Sequence, residues 1–283
     1  MDAGFRIAPM SADDLRLALD WAANEGWNPG RDDAEAFMAA DPGGFLMGFL
    51  GDEPITSISV VAYGDAFGFL GCYICAPGHR GKGYGWATWQ AGMARLGTRA
   101  VGLDGVVAQQ DAYRKSGFAL AHRNIRYGGL STADTPVDPR VVRAGQGLFA
   151  SLRNYDRAVF QAPREAFLKA WLDPMAPSRR AFALVEDGTL TGYGTIRACL
   201  DGFKIGPLFA DTEAGADLLF RALAGQVRGS EIYLDPPEPN AAAIALAERY
   251  DLSPVFETAR MYKDPAPEVP LARVFGITSF ELG

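Results

Sequence analysis

Histidine and cysteine are both scarce in this chain, with two and three residues among 283. His79 precedes the glycine-rich loop and reads as exposed, His122 has no evident partner, and no Ser-His-Asp arrangement can be assembled from them. Three cysteines do not make a disulfide framework; they fit a reducing compartment, so a cytoplasmic location is expected. Cys72-x-x-Cys75 has metal or redox spacing, but it lies in an apolar run that reads as a strand, where the two sulfurs point to opposite faces. There is no second pair, so no metal is expected; Cys199 reads as core. Positive charge is also in short supply: 27 Lys and Arg stand against 34 Asp and Glu, a net charge of −7. With no basic run interleaved with aromatics, nucleic acid is not an expected partner. An acidic chain is compatible with amine substrates, though only weakly diagnostic of them. No apolar run reaches the roughly 18 residues of a spanning helix. The start, Met1-Asp2-Ala3-Gly4-Phe5-Arg6, lacks a charged stretch followed by an apolar one, so neither a membrane partner nor a secretory signal is expected.

What is abundant is apolar residues, 48% of the chain, enough for a packed interior. The length suits two domains of about 140 residues each. Phe5 to Ala8 reads as a strand. Ser11 caps a helix with Leu15, Leu19 and Ala22 on one face, and Asp14 stands where an acid completes the cap. That helix breaks at Asn24-Glu25-Gly26-Trp27-Asn28-Pro29-Gly30, and a second runs from about Arg31 to Ala40. Phe45–Leu50, Ile55–Tyr63 and Phe67–Cys75 follow as an antiparallel meander with Gly- and Asp-rich turns. After it come a glycine loop, a helix from about Gly83 with Trp86, Trp89, Met93 and Leu96 at helical spacing, and a strand over Ala100–Val107. A short helix over Gln109–Ser116, closed by Gly117, leads to a final strand over Phe118–Tyr127. The turn-rich stretch to Pro139 reads as a linker.

The loop is Arg80-Gly81-Lys82-Gly83-Tyr84-Gly85, between an apolar strand and a helix N-terminus. Strand, glycines and helix start together make an anion site, because backbone N–H groups converge and no Cβ keeps a phosphate away. The P-loop spacing is absent. Gly81-x-Gly83-x-Gly85 follows a meander rather than opening a parallel sheet, which argues against a dinucleotide fold. The Arg/Gln-x-x-Gly-x-Gly/Ala pattern is matched at every position. Here, and in Tyr113-Arg114-Lys115-Ser116-Gly117-Phe118 about thirty residues on, the chain resembles the Gcn5-related N-acetyltransferase (GNAT) superfamily.

The resemblance implies an α+β fold with a mixed, mostly antiparallel twisted sheet, and acetyl-CoA as cosubstrate. Its pantetheine arm would add along Tyr73, Ile74 and Cys75, and its pyrophosphate would rest on Arg80, Gly81, Lys82, Gly83, Tyr84 and Gly85. The Arg80 and Lys82 side chains either add charge there or are solvated. A backbone N–H near Ile74 would polarise the thioester carbonyl. Tyr113 stands where the family has its general acid; it either protonates the leaving thiolate or only hydrogen-bonds the sulfur. The Asn often found before that helix is replaced by Ala108-Gln109-Gln110, which leaves Gln109 to hold the pantetheine. The loop between the first two helices would line the acceptor pocket. Glu25, Trp27 and Asn28 suit a cationic small-molecule amine, with Glu25 able to take its proton; the other reading is a helix end with a packed Trp27 and a solvated Glu25. Tyr63 and Asp65 are further acceptor candidates.

The second half repeats the element order, which suggests duplication. The division is 1–130 as an acetyl-CoA domain, 131–139 as linker and 140–283 as a degenerate GNAT-like domain. Where the first half has its glycine loop, the second has Ala210-Asp211-Thr212-Glu213-Ala214-Gly215, whose acids would repel a pyrophosphate. This half is expected to wall the acceptor pocket or to form a homodimer surface, with Tyr233, Asp235, Asn240, Arg260 and Tyr262 as its candidate polar contacts. The expected activity is acetyl transfer to a small-molecule amine. A non-catalytic acyl-CoA-binding module and a protein N-acetyltransferase are the alternatives.

Overall fold

The computed structural model describes residues 4–283. β1 (Phe5–Pro9) leads into α1 (Ala12–Asn24) and α2 (Asp33–Ala40). The α1 cap is reciprocal: Ser11 Oγ accepts from the Asp14 N–H, and the Asp14 carboxylate accepts from the Ser11 N–H. The meander is β2 (Phe45–Leu50), β3 (Glu53–Tyr63) and β4 (Phe67–Cys75). Next come α3 (Tyr84–Leu96), β5 (Ala100–Val106), α4 (Gln110–Lys115) and β6 (Ala119–Leu130).

The second half holds β7 (Val141–Arg143), α5 (Phe149–Phe160), α6 (Glu165–Trp171), β8 (Arg179–Glu186), β9 (Thr189–Ala198) and β10 (Phe203–Ala210). It continues through α7 (Glu213–Ala224), β11 (Glu231–Leu234), α8 (Ala241–Arg249), β12 (Ser253–Lys263) and β13 (Val274–Gly276). The three-residue edge strand β7 is too short to show a period, and the sequence pattern passes over it.

All strands join one mixed sheet in the order β1-β2-β3-β4-β5-β12-β6-β11-β10-β9-β8-β7, with β13 added on β10. The order departs from the reading of β6 as the strand that closes the first half. β12, from the second half, lies between β5 and β6, antiparallel to both, and β6 in turn pairs with β11. The halves have exchanged their last long strands. A buried ion pair crosses the exchange, with Arg260 on β12 donating to both oxygens of Asp104 on β5. One apolar core runs through both halves, joining Phe37, Phe45 and Phe69 to Leu152, Phe167, Trp171 and Phe280.

Two parallel pairings split open, and the splits have different fates. β4 and β5 pair from Phe67–Ala100 to Leu70–Leu103 and then diverge, although both strands continue. A bulge opposite Ile58 bends β4 at this point: Cys72 has φ +44°, and the Ser57 hydroxyl donates to its carbonyl. β10 and β11 pair from Phe203–Ile232 to Ile205–Leu234 and also diverge, but there β13 fills the gap by pairing with Leu208 and Phe209.

Candidate active site

A cleft of about 600 Å³ occupies the split between β4 and β5. Leu70 to Cys75 form one wall and Leu103 to Val106 the other. Gly81, Gly83 and Gly85 lie along it at the start of α3. Gly81 and Gly83 have φ of +76° and +88°, which a side chain would strain, and no neighbour comes within 4 Å of where a Cβ would stand. The first helical bond of α3 runs from the Ala87 N–H to the Gly83 carbonyl, so the preceding amides have no partner one turn back in the helix. A Cβ at Gly85 would stand 3.0 Å from the Tyr73 hydroxyl, so glycine is what lets that side chain reach the helix start.

Tyr113 of α4 lies across β5 in the same cleft. Its ring stacks on Trp89 at 5.8 Å, and a Cβ at Gly105 would come within 2.3 Å of it. Burial, then the neighbouring Tyr73, pushes its phenol up to about 12, so it stays protonated at neutral pH. Tyr73 is also pushed up to about 12, by burial and then by Cys75. Ile74, Cys75 and Gln109 line the cleft as well. These residues leave an unladdered strand edge, a glycine-lined helix start and a protonated phenol around one cavity.

Arg80 spans the mouth of the cleft. Its Nε donates to the Cys75 carbonyl at 2.8 Å and its Nη2 to Glu25 Oε1 at 2.5 Å. Glu25 is exposed, lines the cleft and is tied to the glycine loop through Arg80. Trp27 is half-buried and lines the cleft.

Other expected residues sit elsewhere. Asn28 is outside the cleft lining: its amide donates to the Asp201 carbonyl and accepts from the Asp201 N–H, holding the loop to the second half. Tyr63 is in the core, its hydroxyl donating to the Leu282 carbonyl at 2.9 Å, because a buried phenol must find an acceptor. Tyr84 is buried against Phe5, and Lys82 is exposed on the outside of the loop; neither lines the cleft. Trp86, at helical spacing with Trp89 and Leu96, is 55% exposed and lines the cleft. Asp65 is at an exposed turn beside Arg99.

Both halves hold the loop between α1 and α2 in place. Arg126 of β6 donates to the Trp27 carbonyl at 3.0 Å, and the buried Lys204 of β10, whose ammonium is pushed down by burial, donates to the Asn28 carbonyl at 2.9 Å. The polar residues expected to reach the site have structural partners instead. Asp235 pairs with Arg126 through both oxygens, Arg260 with Asp104, and Tyr233 with Asp201. Asn240 caps α8 and holds the Leu271 and Val274 carbonyls, and Tyr262 packs against Phe67. The residues that do line the cleft from the second half are Phe256, Thr258, Phe280 and Glu281. They stand some two hundred residues from the glycine loop, and nothing local in the sequence marks them. Among the described residues, no cluster of His, Cys, Asp and Glu could hold a metal ion, and no helix is long and apolar enough to cross a membrane.

Residues 12–118 match a family model described as acetyltransferase (GNAT) family, and residues 152–276 match a second, described as acetyltransferase (GNAT) domain. Holothin acyltransferase from Pseudoalteromonas sp. (strain SANK 73390) is 31% identical over 276 residues, 97% of this chain and 93% of that protein. A putative acetyltransferase from Pyrococcus horikoshii has a similar structure, with a TM-score of 0.84 at 22% identity, covering 100% of this chain and 97% of that one. A tandem GNAT protein from the clavulanic acid biosynthesis pathway aligns with a TM-score of 0.62 at 15% identity, over 93% and 100% of the two chains.

Proposed function

Because the chain belongs to the GNAT family of acetyltransferases and is an acyltransferase, we propose that it transfers acetyl from acetyl-CoA to the amine of a small molecule. The observation that carries this reading is the open split between β4 and β5, with the glycine loop at one end and Tyr113 across it. Acyl-CoA supplies the activated thioester carbonyl; the protein supplies binding, orientation and proton transfer. The edge of β4 at Tyr73, Ile74 and Cys75 would take the pantetheine as an added strand, with Gln109 beside it. The amides of the loop from Arg80 to Gly85 would take the pyrophosphate, with Lys82 outside them. An N–H near Ile74 would hold the developing oxyanion, and the Tyr113 phenol would give its proton to the departing sulfur.

In this reading, residues 1–130 form the acetyl-CoA unit, joined by 131–139 to a unit over 140–283 that contributes no second cosubstrate site. β13 fills the equivalent split in that half, and Asp211 is held by Tyr155 and Arg273. The family name supports acetyl as the acyl group. A cleft walled by Phe256 and Phe280 supports a small acceptor over a protein chain. The relative named for holothin makes holothin the first acceptor to try.

The test is free-thiol release from acetyl-CoA with holothin, then amines, amino acids, polyamines, aminoglycosides and peptides with a free N-terminus. Acceptor-dependent release with a small amine is expected. Binding of acetyl-CoA without turnover of any acceptor would refute the reading, and turnover of peptides alone would replace it with protein acetylation.

A further inference from the structure

Glu281 is buried to 2% exposure, lines the cleft, and has no hydrogen-bond partner at either carboxylate oxygen. A buried carboxylate normally accepts several hydrogen bonds, so one without any needs an explanation. The main chain around it is fixed. The Ser59 hydroxyl donates to the Glu281 carbonyl at 3.4 Å, the Tyr63 hydroxyl donates to the Leu282 carbonyl, and a Cβ at Gly71 would stand 2.3 Å from the Glu281 carbonyl oxygen. Phe280 packs on Phe256 at 5.9 Å and lies beneath the Arg126 guanidinium at 4.6 Å.

The nearby cations pair with other acids: Arg126 on β6 is forked onto Asp235, and Arg197 on β9 is paired with Asp33 through its Nε while its Nη2 finds no acceptor. Both sense the Glu281 charge without closing an ion pair on it. The thiol of Cys72 on β4 is pushed up by burial and then by Glu281. Both Glu281 oxygens remain without a donor. A ligand bearing N–H donors would complete this arrangement.

We propose that Glu281, carried by the second half into the cleft of the first, receives the acceptor's amine and takes its proton. This rests on the reading of the cleft as an acyl-transfer site. In the step, the amine nitrogen forms a bond to the thioester carbonyl carbon and the carbon–sulfur bond breaks. The nitrogen's proton passes to a Glu281 oxygen, and the sulfur leaves with the Tyr113 proton; both side chains then re-equilibrate with water. Glu25, engaged by Arg80, is the sequence's candidate for this role and is displaced from it.

The experiment compares Glu281→Gln with the unaltered protein, using acetyl-CoA and the most rapidly acetylated amine of the holothin-led panel. The expected loss in kcat/KM is about 100-fold or more, with acetyl-CoA affinity and melting temperature retained. The base acts on an amine that has arrived neutral, so kcat/KM should rise with pH towards the acceptor's own pKa in both proteins, with the variant lower throughout. Added formate should restore part of the rate to Glu281→Ala, which a purely structural carboxylate would not show. Glu281→Asp, which keeps the charge, serves if the amide variant fails to fold, and should lose rate through lost reach. Unchanged kcat/KM, or no formate rescue, would overturn the assignment while leaving the acyl-transfer reading intact. An unaltered enzyme that binds acetyl-CoA but acetylates nothing would remove both.

Discussion

Tyr113 shows how one residue's environment sets its chemistry. Held between Trp89 and the bare backbone of Gly105, its phenol is raised to about 12 by burial. A raised phenol keeps its proton across the physiological range, so it is a proton donor at neutral pH and never a base. Activity should therefore rise with pH as the acceptor amine loses its proton, with no alkaline decline from Tyr113 below about pH 11. Tyr113→Phe should cost about 100-fold in kcat and leave acetyl-CoA affinity unchanged in titration calorimetry. A variant with unaltered kcat would assign the phenol to packing alone. The loop motif and Tyr113 were readable because each depends on neighbours close in sequence. Tyr63 and Asn28 were misplaced because their partners, Leu282 and Asp201, are remote in the chain.

At the scale of elements, β4 decides where the cleft opens. Its first residues ladder onto β5; then the bulge at Cys72, with its positive φ, turns the rest away and leaves a strand edge facing a cavity. Gly71, beside the bulge, is where the closing segment touches this strand. Any Cβ there meets a main-chain oxygen, which cannot swing aside as a side-chain tip would. Gly71→Ala should destabilise the protein by about 1–3 kcal/mol, read from the urea midpoint, and should raise KM for the acceptor more than for acetyl-CoA. An unshifted midpoint would show that the segment docks by other contacts. In the second half β10 also shifts register against its neighbour, between Ile205 and Leu208, but β13 occupies the split that follows.

For the whole molecule, strand exchange makes the halves interdependent. β12 is a central strand of the sheet although it comes late in the chain, and it carries Arg260 to Asp104 and Thr258 to the cleft. A fragment over residues 1–139 would leave β5 without that neighbour, with a long bare edge and an unpaired buried Asp104. It should not fold as a soluble monomer. The full chain should unfold in urea as one transition, with far-UV circular dichroism and tryptophan fluorescence coinciding. Two separated transitions would mean that the halves are independent.

The local pattern of the sequence was enough to place most helices and strands, the capping box at Ser11, the glycine loop and the position of Tyr113. Each of these follows from periodicity, capping or a short motif, in which the interacting residues are near neighbours. The same pattern pointed to a second half without a phosphate loop. Only the tertiary structure decided that β12 and β6 change places between halves, that β13 fills one split while the other stays open, and that Glu281 rather than Glu25 stands unpartnered in the cleft. Strand partners and buried charges are chosen among segments a hundred or more residues apart. The free energy that selects them comes from burial and pairing in the assembled sheet, and no window of the sequence contains it.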